Sequence, residues 1–167
     1  LGGDHATAFG SIRAHAAFHG PFGILHVDAH ADLRRDYQGF EWSHASVMEA
    51  VMRLLPEVTR LVQVGVRDFC DEERARIEDS GGRIRTFFDA DLAAERFAGR
   101  TWAAQVDDIV GLLPEQVYVS FDIDGLDPKL CPHTGTPVPG GLDFRQAAFL
   151  LGALVRSGRR IVGFDLV

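Results

Sequence analysis

Phe22-Gly23-Ile24-Leu25-His26-Val27-Asp28-Ala29-His30-Ala31-Asp32 begins as a short run of β-favouring, mostly apolar residues and ends in two carboxylates and an imidazole. Comparable apolar runs recur at Leu61–Val66, Ile84–Phe88, Val117–Phe121 and Ile161–Phe164. Segments of helical character separate them. Ala6–Phe18 is Ala-rich, Ala45–Leu55 carries apolar residues at helical spacing, and Asp71–Asp79 is charged and amphipathic. Trp102–Leu113 and Asp143–Val155 read likewise, the latter opened by an aspartate suited to cap a helix. Strands alternating with helices predict βαβ units, and so an α/β fold of three layers, α/β/α, around a mostly parallel sheet. Near-continuous apolar strands fit a sheet covered on both faces. Ligands of such sheets gather beyond the carboxyl ends of the strands. Residues that follow strands directly are therefore the first candidates for chemistry.

Two strands end in acids. In extended chain, side chains at i, i+2 and i+4 share a face, so Asp28, His30 and Asp32 point at one spot. Val117–Phe121 runs into Asp122-Ile123-Asp124, and the same alternation pairs two more carboxylates. A lone Asp-x-Asp is ordinarily a turn or a solvated pair, because Asp favours turns. Four carboxylates brought together repel one another unless cations lie between them. Carboxylate oxygens with imidazole suit Mn²⁺, with Zn²⁺ or Fe²⁺ as substitutes.

The 167 residues fit one domain, and 46% hydrophobic with 25% charged residues is the composition of an ordinary globular chain. A net charge of −7 argues against a nucleic-acid partner, which needs a clustered basic surface. Two divalent ions would bring it to −3 (−7 + 4). There is no apolar run long enough to span a membrane and no signal-peptide pattern. Cys70 and Cys131 are isolated, which disfavours a disulfide scaffold or a thiolate zinc site and fits a cytoplasmic location.

Gly2-Gly3-Asp4-His5, Asp28-Ala29-His30-Ala31-Asp32 and Ser120-Phe121-Asp122-Ile123-Asp124-Gly125-Leu126-Asp127-Pro128 resemble, in this order, the three signature motifs of the ureohydrolases, the family of arginase and agmatinase. Thr134-Gly135-Thr136-Pro137-Val138-Pro139-Gly140-Gly141-Leu142 is similar to the segment after the third motif. The resemblance implies an arginase-like fold, incomplete at both ends, with residues 1–167 forming the central and C-terminal part of a single, truncated ureohydrolase domain. It implies two Mn²⁺ per chain. His5, Asp28, Asp32 and Asp122 would hold one, and His30, Asp28, Asp122 and Asp124 the other. Asp28 and Asp122 would then bridge the pair, with a hydroxide between the ions attacking the guanidinium carbon. Asp127 would orient the turn or a ligand, and Gly125 would supply backbone freedom there.

Ser43-His44-Ala45-Ser46 falls where the family has a proton-shuttling histidine, a task that suits imidazole. Ala45 stands where many members have Gly. A structural role for His44 at a helix N-terminus is the alternative reading. His44 and Thr136 are the expected substrate contacts. The substrate implied is a small guanidino compound, with agmatine, giving urea and putrescine, favoured over arginine or a guanidino acid by the overall pattern. A homo-oligomer is expected of the full-length protein. In the family, a glutamate that binds the guanidinium group comes just after the position of Val167, so this chain alone is expected to be weakly active. A metal-binding piece without catalysis is the rival from another class. Phe121–Gly125 also resembles the motif of haloacid dehalogenase phosphatases, but Lys129, the only lysine, is too close to serve them, and Asp28, His30 and Asp32 would go unexplained.

Among the other histidines, His15 and His19 read as surface or satisfied polar groups, and His133 lies beside the Thr-Gly-Thr segment. His26 shares parity with Asp28 and His30, which fits either a packed strand histidine or a group behind the ligands. Arg34, Arg35 and Asp36 lie in a loop near the expected mouth and read as a solvated face or as contacts to a substrate tail.

Overall fold

The computed structural model describes residues 2–167. Five strands, β1 (Phe22–Val27), β2 (Val58–Val66), β3 (Ile84–Phe88), β4 (Gln116–Phe121) and β5 (Arg160–Leu166), form one parallel sheet in the order β3-β2-β1-β4-β5. Six α-helices accompany them among the described residues: α1 (Ala8–His19), which precedes β1, and α2 (Val47–Leu54), α3 (Asp71–Asp79), α4 (Asp89–Phe97), α5 (Trp102–Gly111) and α6 (Phe144–Arg156), which lie between strands. The chain walks from β1 outward to β3, then returns to place β4 against the free side of β1. The topological switch point therefore lies between β1 and β4, where open α/β sheets bind their ligands.

Helices cover both faces, as the alternation predicts. Ile12 and Ala16 of α1 pack with Met48 and Val51 of α2 over Ile24 and Leu61. On the other face Val106 and Ile109 of α5 and Leu150 and Leu154 of α6 pack over Leu25, Val62 and Val117. Each fully buried side chain of this size contributes roughly 1.5–3 kcal/mol. All six residues of β1 are buried, which explains its continuous apolar reading. β5 differs: as an edge strand it leaves Ile161, Phe164 and Leu166 exposed.

Element ends differ from expectation in physical ways. The first helical segment opens as a tight turn over His5–Thr7, capped by Asp4, whose Oδ1 accepts from the Ala6 amide at 2.8 Å. Gly20, at φ 70°, ends α1 in a conformation that costs glycine least. The second helix likewise starts with a turn, His44–Ser46, before α2 proper. Asp143 caps α6 as expected, accepting from the Gln146 amide at 2.7 Å. α4 was not anticipated: it follows β3 with no intervening loop and buries only Leu92. Both cysteines are free, and no helix among the described residues is long and apolar enough to cross a membrane.

Candidate metal centre

Strand register delivers the acids. Val27 pairs with Phe121, so Asp28 and Asp122 leave adjacent strands side by side, and the Asp122 amide still donates to the Val27 carbonyl at 2.9 Å. Asp28 is 1% exposed and its two oxygens face different neighbours. Oδ2 lies 3.1 Å from His5 Nδ1, and Oδ1 lies 3.3 Å from His30 Nδ1. His5 Nδ1 also lies 3.1 Å from Asp32 Oδ2 and 3.6 Å from Asp122 Oδ2. His30 Nδ1 lies 3.1 Å from Asp124 Oδ2. The six residues anticipated as ligands thus converge in two halves that share Asp28. Asp122 reaches the first half through Oδ2, while its Oδ1 accepts from the Asp124 amide at 2.9 Å.

Each candidate ligand is brought in by a local device. His5 rides on a segment tied to the end of β5, where the Gly2 amide donates to the Leu166 carbonyl. Asp32 adopts φ 54°, a left-handed conformation that Asp tolerates better than most residues. Its carbonyl then accepts from the Met48 and Glu49 amides at the start of α2, so the bend that aims the carboxylate also caps a helix. Gly125 has no positive φ, which corrects the expectation of backbone freedom. A Cβ there would sit 2.8 Å from the Asp28 nitrogen and 2.9 Å from Val27 Cγ1, so the glycine is needed for close approach of the two ligand segments. Gly125→Ala is expected to destabilise the fold by about 1–3 kcal/mol and to weaken metal binding. Thermal unfolding together with a metal titration checks this, and an unchanged variant would contradict the close-approach account.

The donor chemistry fits a divalent cation. Ser120 Oγ donates to Asp165 Oδ1 at 2.9 Å, so its single proton is committed and it accepts from His5 Nε2 at 2.8 Å. His5 is thereby held as a donor on Nε2, with Nδ1 aimed at three carboxylates. Such a nitrogen needs a cation in front of it, either a proton or a metal. Burial lowers the basicity of His5, but hydrogen bonds and charges from Asp28 and Asp32 outweigh it and raise its pKa well above the imidazole range. Burial likewise works against His30, yet Asp124 and Asp28 push its pKa up to about 11. Burial, then the charges of Asp28 and Asp124, push Asp122 up to about 7. Ligation requires each group to lose its proton. Affinity for a divalent ion should therefore rise with pH through neutrality and be accompanied by proton release. Calorimetric titrations at pH 6, 7 and 8 in buffers of different ionisation enthalpy test this, and pH-independent binding would contradict it.

Above the His/Asp cluster lies a cavity lined by Asp4, His44, Thr134 and Thr136, which shares lining residues with a neighbouring hollow bounded by Arg34, Tyr37 and Asp68. His44 is exposed; its ring stands edge-on to Tyr37 and its Nδ1 is 3.8 Å from Asp4 Oδ2. Thr136 is at the rim, with Oγ1 3.2 Å from Asp124 Oδ2. Arg34 lines the hollow and stacks on Tyr37, whereas Arg35 pairs with Glu41 outside it. His133 is exposed and does not line the cavity. Asp127 serves its turn, accepting from the Lys129 amide. The sequence reading did not foresee Arg67, which follows β2 directly. Its guanidinium donates to the carbonyls of Gly65, Asp124, Leu126 and Val138, clamping the Asp124 turn to the rim loop. Its position after a strand was the one available signal.

A model of the arginase family matches residues 1–167. The chain belongs to the arginase family. It is 42% identical over 167 residues to the N(1)-aminopropylagmatine ureohydrolase of Thermus thermophilus, covering 100% of this chain and 53% of that protein. It is 39% identical over 168 residues to the agmatinase of Cronobacter sakazakii, covering 100% of this chain and 50% of that one. Among solved structures, the proclavaminate amidino hydrolase of Streptomyces clavuligerus superposes with a TM-score of 0.80 at 32% identity, covering 99% of this chain and 52% of that one. The chain spans about half the length of the curated relatives it matches. The architecture is the arginase-like α/β/α fold, and the His/Asp cluster is the two-metal arrangement typical of ureohydrolases.

Proposed function

We propose that the whole protein is a binuclear manganese ureohydrolase that cleaves agmatine to urea and putrescine, with residues 1–167 as part of its single catalytic domain. The observation that carries this reading is the Asp28 carboxylate, which presents one oxygen to each half of the cluster beneath a cavity open to a small substrate. In this reading His5, Asp28, Asp32 and Asp122 would hold one ion, and His30, Asp28, Asp122 and Asp124 the other. Two divalent ions held there would supply a water of lowered pKa, a nucleophile near neutral pH. The remaining tasks fall to the chain. Thr136 and His44, which both line this cavity and the adjoining hollow, contact the substrate. His44 delivers a proton to the departing amine, since it borders both the cavity and solvent. The free cysteines support a cytoplasmic location.

A second substrate reading, N1-aminopropylagmatine, is favoured by the name of the 42% identical relative. The test is a panel of agmatine, N1-aminopropylagmatine, arginine and guanidino acids offered to the manganese-loaded whole protein, with urea and the amine product measured. The highest kcat/KM on agmatine supports the proposal. A clear preference for the aminopropyl compound puts the second reading first, and a preference for arginine makes the protein an arginase. No urea from any of them leaves a metal-binding protein without this catalysis.

A further inference from the structure

Five polar residues, one from each strand, form a row across the sheet directly beneath the metal centre. Thr86 pairs in register with Gln63, Gln63 with His26, His26 with Ser120, and Ser120 with Asp165. The Ser120 and Asp165 end serves His5, as described above. The other end serves Asp28. His26 and Gln63 are fully buried, so their polar atoms must find partners within the protein.

The proton positions follow from groups whose roles are fixed. Gln63 Nε2 lies 2.7 Å from the Ala31 carbonyl, which can only accept. Its Oε1 lies 2.8 Å from Thr86 Oγ1, which donates to it. Turning the amide over would set Oε1 against the Ala31 oxygen, so the nitrogen stays where it is. Its second N–H faces His26 Nδ1 at 3.0 Å. A ring nitrogen that accepts an N–H carries a lone pair, and the proton of the imidazole is then on Nε2. That N–H points at Asp28 Oδ2, 2.9 Å away. Asp28 Oδ1 meanwhile accepts from the His30 amide at 2.6 Å. Each oxygen of the shared carboxylate is thus held by one protein donor, and its remaining lone pairs are turned into the centre.

His26 lies within ligand distance of His5, Asp28 and Asp32, so proximity alone admits it as a fourth metal ligand. We propose instead that Gln63 and His26, backed by Thr86, are positioning residues: Gln63 locks His26 as the Nε2–H tautomer, and His26 orients Asp28 as a donor without itself binding metal. Ligation through Nε2 would move the proton to Nδ1 and set two N–H groups against each other in a buried site. A neutral donor also adds no positive charge beside two cations. The inference rests on the two-metal reading of the cluster, but the tautomer can be measured without metal.

The experiment is a two-bond ¹H–¹⁵N correlation spectrum of the metal-free whole protein labelled in its histidines. His26 is assigned as the ring whose signals are lost in His26→Gln. The expected pattern is a proton on Nε2 and none on Nδ1, and a proton on Nδ1 overturns the proposal. Gln63→Met removes the N–H that faces Nδ1 and is expected to weaken manganese binding; wild-type affinity in that variant removes Gln63 from the relay. Manganese titrations then separate donor from ligand. His26→Phe should keep the wild-type stoichiometry with an affinity weaker by ~10–100-fold, and His26→Gln, whose amide can still donate to Asp28, should recover most of it. Loss of one ion in His26→Phe makes His26 a ligand, and unchanged affinity makes it inert. A wild-type protein that binds no metal would sink the two-metal reading while leaving the tautomer result to stand or fall by itself.

Discussion

Asp28→Asn is expected to abolish binding of both metal ions and to reduce urea release on the order of 10³-fold or more, the loss that follows when a metal centre no longer activates water at neutral pH. The reason is the double duty of one carboxylate. Oδ2 faces His5 while accepting from His26, and Oδ1 faces His30 while accepting from its amide. An Asn side chain has one oxygen to offer. If it occupies the Oδ2 position, its NH₂ group meets the His30 amide, donor against donor. If it occupies the Oδ1 position, the NH₂ group meets the His26 N–H instead. Either orientation also presents N–H groups to one cation and removes a unit of negative charge shared by two. Asp32→Asn should be milder, because Asp32 approaches only the His5 half. Metal content by elemental analysis, beside urea release on the same preparations, checks both. Two ions retained in Asp28→Asn would refute the shared-carboxylate geometry.

What the sequence made legible was whatever is local. Asp28, His30 and Asp32 lie within five residues of one another directly after a strand, as do Asp122 and Asp124, and alternation along the chain already aims them together. The α/β alternation was equally plain, because buried parallel strands such as β1 are mostly apolar. The groups behind the ligands were not legible. Gln63, Thr86 and Ser120 are unremarked polar residues within strands; they matter because register places them beside His26, and one sequence does not print its register. His26 itself was noted by parity, but its role depended on a partner 37 residues away. Arg67 acts through carbonyl oxygens, which carry no side-chain signature. Gly125 was read as a flexible turn, and its actual constraint, the nearness of Asp28, exists only in three dimensions. α4 escaped because it begins at the residue after β3, so no turn signal separates the two periodicities.

His44→Ala is expected to lower turnover by ~10²–10⁴-fold, the range for loss of a positioned acid–base group, while leaving metal content at the wild-type level. The geometry separates His44 from the ligands. Its side chain is 46% exposed, whereas those of His5 and Asp28 are 2% and 1% exposed, and it approaches Asp4 and Tyr37 but none of the converging ligand atoms. Removing it should therefore leave the metal cluster intact. Its backbone environment should also survive, because the turn it occupies is held by Ser43 and Ser46 and by the Arg34 amide donating to the Ala45 carbonyl. The deficit should appear in kcat more than in KM, since a proton to the leaving amine is needed in the transition state and not for binding. Exposure gives a further handle: added imidazole can enter the vacated rim and should restore part of the rate. Loss of metal in His44→Ala would make the residue structural, and full turnover with metal retained would remove it from the proton path. A relay at this position must exchange protons with bulk water between turnovers, and the rim of the cavity meets that requirement where the buried histidines below it do not.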